Sequence, residues 1–156
     1  TVAGTYKKAF VKENDETITL EIWDTAGDEH YSSAITYFFK DAQAAVIVYD
    51  ITSQETFEHL DSWKDKIHQN ANENIPIIIV GNKTDLDPKR FVSTKQGSSY
   101  ASRINAHHFI ETSAKTGENI TELFKSISSV KLISDISKKR ITPLDPDEHT
   151  QKEKCC

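Results

Sequence analysis

The chain has 156 residues, which favours one domain and is long enough for a real core. Its formal net charge of -5, with 28% charged and 37% hydrophobic residues, fits a soluble globular protein and argues against nucleic acid as a partner. No run approaches the roughly 18 apolar residues of a membrane span and no secretory signal opens the chain; the only cysteines, Cys155 and Cys156, are adjacent, which excludes a disulfide framework and points to a reducing compartment.

Residues 7–13 alternate loosely and predict a strand. Asn14-Asp15-Glu16 predicts a turn and residues 17–23 a second strand, so the pair predicts a β-hairpin. The alternating Ile18, Leu20 and Ile22 run into Trp23 and stop at Asp24, with Gly27 three residues on. A strand ending in aspartate and breaking into a glycine loop is one way to build a phosphate and metal site. The strand fixes the carboxylate, and the glycine lets a backbone N–H approach a phosphate oxygen. An ordinary strand end is the competing reading for D-x-x-G alone. Residues 31–39 predict a short helix or irregular turn. Residues 44–49 are continuously apolar, the mark of a strand covered on both faces, and end at Asp50.

Thr52 with Glu55 predicts a capping box opening a helix that runs to about Asn70, with Phe57, Leu60 and Ile67 at helical spacing. Residues 76–80 predict another buried strand. Ser93 with Gln96 predicts a second capping box and a helix to about Asn105, weakened by Gly97 by roughly 1 kcal/mol relative to alanine. Residues 108–110 predict a strand running into Glu111-Thr112-Ser113. Asn119 with Glu122 predicts a third capping box, with Ile120, Leu123, Phe124, Ile127 and Val130 as the inner face of a last helix. Strands alternate with helices from Ala44 onward, which predicts an α/β fold: an open, mostly parallel sheet with one antiparallel edge hairpin. Ligands then bind at the carboxyl ends of the strands, where the loops after Trp23, Val80 and Ile110 meet. Residues 1–135 read as the domain and residues 136–156 as a flexible, solvated tail.

Asn82-Lys83-Thr84-Asp85 follows the strand at 76–80. The Asp85 carboxylate can accept two parallel hydrogen bonds, the pattern guanine offers from its ring N–H and amino group. Adenine offers no such pair and would leave a buried charge unsatisfied. Asn82 can bridge loop and base, and the aliphatic stem of Lys83 can lie on the base face. Glu111-Thr112-Ser113-Ala114-Lys115 follows the next strand. The small Ala114 lets its N–H reach a base carbonyl, and Lys115 can cover the other side. Each motif alone is matched by an ordinary polar turn; their order, each after a sheet strand, makes chance a poor explanation.

These motifs resemble the Ras superfamily of small GTPases, most closely the Rab family, over residues 1–133. The resemblance rests on W-D-T-A-G at 23–27, A-V-I-V-Y-D-I-T at 45–52, G-N-K-T-D at 81–85 and E-T-S-A-K at 111–115. It implies a guanine-nucleotide switch in vesicle and membrane traffic that hydrolyses GTP to GDP and phosphate with Mg²⁺. By the same resemblance Thr1 contacts Mg²⁺ and the γ-phosphate, Asp24 holds Mg²⁺ through water, and Gly27 donates its N–H to the γ-phosphate. Asn82, Lys83 and Asp85 read guanine, and Ser113, Ala114 and Lys115 complete the pocket. Tyr6, Trp23 and Phe38 resemble the aromatic triad presented to effectors, with ordinary core packing as the competing reading. An exchange factor and a GTPase-activating protein are the further implied partners. Residues 31–52 look nearest the endosomal Rabs.

The sequence departs from the family in two places. No G-x-x-x-x-G-K-[ST] occurs among the five glycines, so the loop that cradles the phosphates is missing from these 156 residues. The family's first strand and helix are missing with it, which predicts a slot between the strands at 17–23 and 44–49, or instability. Each charge-assisted bond lost is worth roughly 1.5–3 kcal/mol, so tight phosphate binding is not expected of this chain. The alternative expectation is therefore a truncated, non-catalytic Rab-like binding module. Second, Asp28 stands where the family usually has the glutamine that orients the attacking water. A carboxylate there repels the γ-phosphate, so hydrolysis is expected to be slow or absent. His30 stands where Rabs often carry arginine. Cys155-Cys156 resembles the Rab double-prenylation signal. It implies the prenylation machinery as a partner and a peripheral place on the cytosolic face of an endomembrane, on the two-anchor rule. The tail would span up to roughly 60–70 Å as a tether.

Overall fold

The structure, a computed structural model, describes residues 5–13, 16–25, 39–71 and 75–139. Strands β1 (Thr5–Glu13) and β2 (Glu16–Asp24) form the expected antiparallel hairpin, in register from Thr5↔Asp24 to Glu13↔Glu16. Its period of two sorts the side chains. Lys7, Ala9 and Val11 share a face with Ile22, Leu20 and Ile18, of which Ile18 is buried. The opposite face carries Tyr6, Lys8 and Phe10 beside Trp23, Glu21 and Thr19, with Lys8 and Glu21 paired at 3.2 Å. The expected turn at Asn14-Asp15 and nearly all of the element expected at 31–39 lie outside the described residues.

Strands β3 (Ala45–Asp50), β4 (Ile77–Asn82) and β5 (His108–Thr112) form a parallel sheet in the order β3-β4-β5. β4 lies between the other two and is buried from Ile77 to Gly81, as its unbroken apolar run predicts. Ile47, Tyr49, Ile77 and Ile79 pack on one face with Leu60, Ile67, Val92 and Tyr100; Ile78 and Val80 pack on the other with Val130, Leu123 and Ile127. Helices α1 (Gln54–Glu58), α2 (Leu60–Asn70) and α3 (Thr94–Arg103) supply the first layer, and α4 (Ile120–Lys139) the second. Among the described residues no helix is long and apolar enough to cross a membrane.

The hairpin and the parallel sheet are separate ladders. β2 and β3 are not paired with each other, as the slot expected between residues 17–23 and 44–49 implies, and among the described residues no strand lies between them. Val46 and Val48 are left 38% and 55% exposed on the face that α4 only partly covers.

Three helix starts differ in their fate. The Ser93–Gln96 box forms: Ser93 Oγ accepts from the Gln96 N–H at 3.3 Å and Gln96 Oε1 from the Ser93 N–H at 2.9 Å. The Thr52–Glu55 box does not. Thr52 donates its N–H and its hydroxyl to Asp50 Oδ1 at 2.8 and 2.7 Å, so Ser53 caps α1 instead, accepting from Thr56 N. The expected single helix also divides at His59, whose ψ of -6° falls short of helical. The Asn119–Glu122 box is likewise absent. Asn119 is left-handed at φ +57°, its amide donates to the Glu111 carbonyl at 2.8 Å, and Glu122 pairs with Lys125.

Candidate functional site

Parallel strands end together, and here the shared end is a row. Asp50 lies opposite Asn82, and Asn82 opposite Thr112. Two connections leave this rim. Lys83 takes a left-handed turn at φ 74° and delivers the chain into a 3-10 segment, Thr84–Lys89, that carries Asp85. The loop after Thr112 carries Ser113, Ala114 and Lys115, and closes through Gly117 N–H to Ser113 O at 2.8 Å, with Gly117 at φ +85°.

The two loops are bonded to each other. Asn82 Oδ1 accepts from the Ala114 N–H at 3.0 Å and from the Thr112 hydroxyl at 3.3 Å. Asp85 Oδ1 accepts from the Ser113 hydroxyl at 2.6 Å, and Ser113 is fully buried. Lys115 Nζ lies 3.7 Å from Asp85 Oδ2, a loose contact from a side chain that is 79% exposed. The Thr84 hydroxyl bonds to Glu118 at 2.5 Å. Lys83 Nζ reaches across to Asp50 Oδ2 at 2.6 Å. Burial pushes the Asp50 carboxyl up, but the bonds from Lys83 and Thr52 outweigh it and hold it below the usual carboxylate range.

The arrangement has a definite chemical capacity. A carboxylate offers about four acceptor positions. Asp85 uses one at Ser113 and leaves Oδ2 with only the loose lysine, so it can still take an N–H donor pair. The Ala114 N–H is different. It is already spent on Asn82, so its use by a ligand carbonyl would exchange one bond for another.

The structure therefore brings Asn82, Lys83, Asp85, Ser113, Ala114 and Lys115 together at one rim. It does not join Asp24 to them by any ladder. Asp24 is the exposed last residue of β2, opposite Thr5 in the hairpin. Tyr6 and Trp23 lie on one face of that hairpin with ring centroids 4.8 Å apart, 41% and 47% exposed. Thr1, Gly27, Asp28, His30, Phe38, Cys155 and Cys156 lie outside the described residues. Among the described residues no three His, Cys, Asp or Glu side chains cluster as a metal site.

Sequence reasoning missed two supports of the site. Asp50 was legible as a strand-ending carboxylate, but its hold on Lys83 was not. Arg90 gave no signal at all, yet its guanidinium grips Glu111 across 21 residues of sequence, at 2.6 and 3.1 Å.

Residues 1–132 match the Ras family. Among curated proteins, the chain is 37% identical to the Ras-related protein Rab-5A of Dictyostelium discoideum over 161 aligned residues, covering all of this chain and 80% of that protein. It is 39% identical to the Ras-related protein Rab-12 of Mus musculus over 145 residues, covering 93% of this chain but only 57% of that protein.

Proposed function

The chain belongs to the Ras superfamily of small GTPases, in its Rab family, and on that premise we propose that it reads guanine nucleotides as a Rab-type switch in membrane traffic. One observation carries the reading: Asp85 is fixed by buried Ser113 at the rim, with acceptor capacity left on Oδ2. Guanine meets that carboxylate with two parallel donors, and adenine cannot. Asn82 ties the two loops, while Lys83 and Lys115 stand at the rim to cover the base faces. Effectors meet Tyr6 and Trp23, with Phe38 completing the triad. The segment after α4 tethers the domain to a cytosolic membrane face through lipids on Cys155 and Cys156.

The phosphate side of the site is a different matter. In this reading Thr1 and Asp24 hold Mg²⁺ and Gly27 donates to the γ-phosphate. Mg²⁺ demands six oxygens in near-ideal geometry. Of the residues assigned to this side, the described ones include Asp24, an exposed carboxylate, while Thr1 and Gly27 lie outside them. Asp28 stands where the family usually carries glutamine, and a carboxylate at that position would repel the γ-phosphate, which opposes hydrolysis.

Asp28 in place of that glutamine favours a second reading: a membrane-tethered, non-catalytic module that keeps the base-reading loops and part of the effector face. Calorimetry with GTP and Mg²⁺ separates the two. Micromolar or tighter binding supports the switch, and no heat supports the module. The base reading is tested by D85N. Asparagine presents one donor and one acceptor, which complements xanthine (ring N–H and carbonyl) instead of guanine. Loss of GMP preference with a gain for XMP is expected; unchanged base preference would refute the assignment.

A further inference from the structure

Beside the bonds between the base-reading loops lies a second set that also joins the 3-10 segment to the end of β5. Arg90 Nη1 and Nη2 meet Glu111 Oε1 and Oε2 at 2.6 and 3.1 Å, a bidentate fork. Arg90 Nε meets Asp87 Oδ1 at 2.6 Å, and Nη1 also donates to the Val92 carbonyl at 3.1 Å. Glu111 Oε2 accepts from the Thr94 hydroxyl at 3.0 Å, while its backbone carbonyl accepts from Asn119 Nδ2 at 2.8 Å. The Arg90 and Glu111 side chains are only 20% and 15% exposed.

These bonds close a ring with the base site. Asp85 and Asp87 sit on one 3-10 segment; Glu111 and Ser113 sit two residues apart at the end of β5. Ser113 joins the two arms at the front, through Asp85. Arg90 joins them at the back, through Asp87 and Glu111. Two links fix a rotation that one link leaves free. With the front link alone, the segment that carries Asp85 is joined to the end of β5 at one side chain. With both, the 3-10 segment that carries Asp85 is tied to the end of β5 at two points.

We propose that Arg90 and Glu111 are positioning residues for guanine recognition: their ion pair sets the angle at which Asp85 meets the base edge. The inference rests on the guanine reading above, and its signature is narrow. The ring N–H of a purine can be met by one carboxylate oxygen at many angles. The 2-amino group is met together with it only when both oxygens lie in the plane of the base. Guanine and hypoxanthine differ by that amino group alone.

The test is an NMR shift titration of the full chain with GMP, IMP and AMP at millimolar concentrations. The unaltered chain is expected to prefer GMP over IMP by about tenfold, the worth of one hydrogen bond to a charged group. R90Q and E111Q are expected to bring that ratio to threefold or less while IMP binding changes by less than twofold. R90K, which keeps the charge but not the fork, should fall between. T94V removes one bond to Glu111 with little loss of packing. It is expected to lower the ratio slightly, and it keeps the test available if R90Q does not fold. If R90Q and T94V weaken GMP and IMP equally, or leave the ratio unchanged, the pair is a structural brace only and the proposal is overturned. If the unaltered chain does not distinguish the three nucleotides, the guanine reading itself is overturned, and the proposal with it.

Discussion

Alanine at Gly97 is the substitution on which helix propensity and packing disagree most sharply. Gly97 lies in the interior of α3, where alanine is preferred by roughly 1 kcal/mol. On propensity alone, G97A stabilises. The structure reverses the sign. A Cβ at this position would overlap the hydroxyl oxygen of Tyr49 and approach two atoms of the Phe109 ring to 2.7 and 2.8 Å. Tyr49 also holds its hydroxyl close over Gly81, where an added Cβ would come within 2.8 Å of that oxygen. Its ring is 1% exposed and packs edge-on against Phe57 at 5.1 Å. Forcing one carbon into such a contact costs typically 1–3 kcal/mol, so the net effect is destabilisation of about 1–2 kcal/mol. That lowers the melting temperature by roughly 3–10 °C in a domain of this size. Tyr49 supplies the control. Its hydroxyl is buried with no hydrogen-bond partner, so Y49F forfeits no bond and removes a desolvated oxygen. In the Y49F background the cost of G97A should shrink by about 1 kcal/mol, with the Phe109 contact accounting for what remains. Urea denaturation of the four proteins in this cycle measures both quantities. A G97A protein as stable as its parent, or a coupling energy of zero, would refute the overlap with Tyr49.

Three further outcomes follow from the same contacts. Burial pushes the Tyr49 hydroxyl up to about 12 from its ordinary 10.0, so the neutral form is favoured in the folded state. The stability this contributes is complete below pH 10 and is lost as pH rises towards 12. Alkaline denaturation should therefore show Y49F losing less stability than its parent across that window. Asp50 has the opposite sign, because its folded pKa lies below the ordinary 3.8. Its contribution is present above that value and lost as pH falls through the folded one. D50N should remove about 1–3 kcal/mol at neutral pH and flatten the acid limb of the stability curve below pH 4, read by urea melts at stepped pH. S93A deletes the acceptor at the start of α3 and should cost about 1 kcal/mol by thermal melting, as an N-cap loss does.

The fold was legible because period and order are local. The apolar run at 76–80 and the hairpin alternation around Ile18, Leu20 and Ile22 announce their strands wherever they stand, and the alternation of elements orders the sheet. The base-reading motifs were legible for a related reason. Each sits on a few consecutive residues after a strand, so topology alone carries Asn82, Asp85 and Ser113 to one rim. The failures share the reverse property. A capping-box pattern marks a helix start only if no other partner engages the capping side chain. Thr52 had Asp50 two residues back, and Asn119 had the Glu111 carbonyl from the preceding strand. Ser93 had neither, and its box formed.

Gly97 and Arg90 lie beyond any local rule. Gly97 reads as a flaw in a helix until Tyr49, 48 positions earlier, is placed against it. Arg90 reads as one more surface charge until Glu111 is. Both are positions where a distant partner sets the residue type. For that reason the supports of the site were harder to read than the site itself. A base-reading carboxylate must occupy a fixed place in a short motif, whereas what holds it in plane can come from any element the fold brings near. Asp85 is therefore marked in the sequence by its neighbours, while Arg90 is marked only by the geometry of its fork.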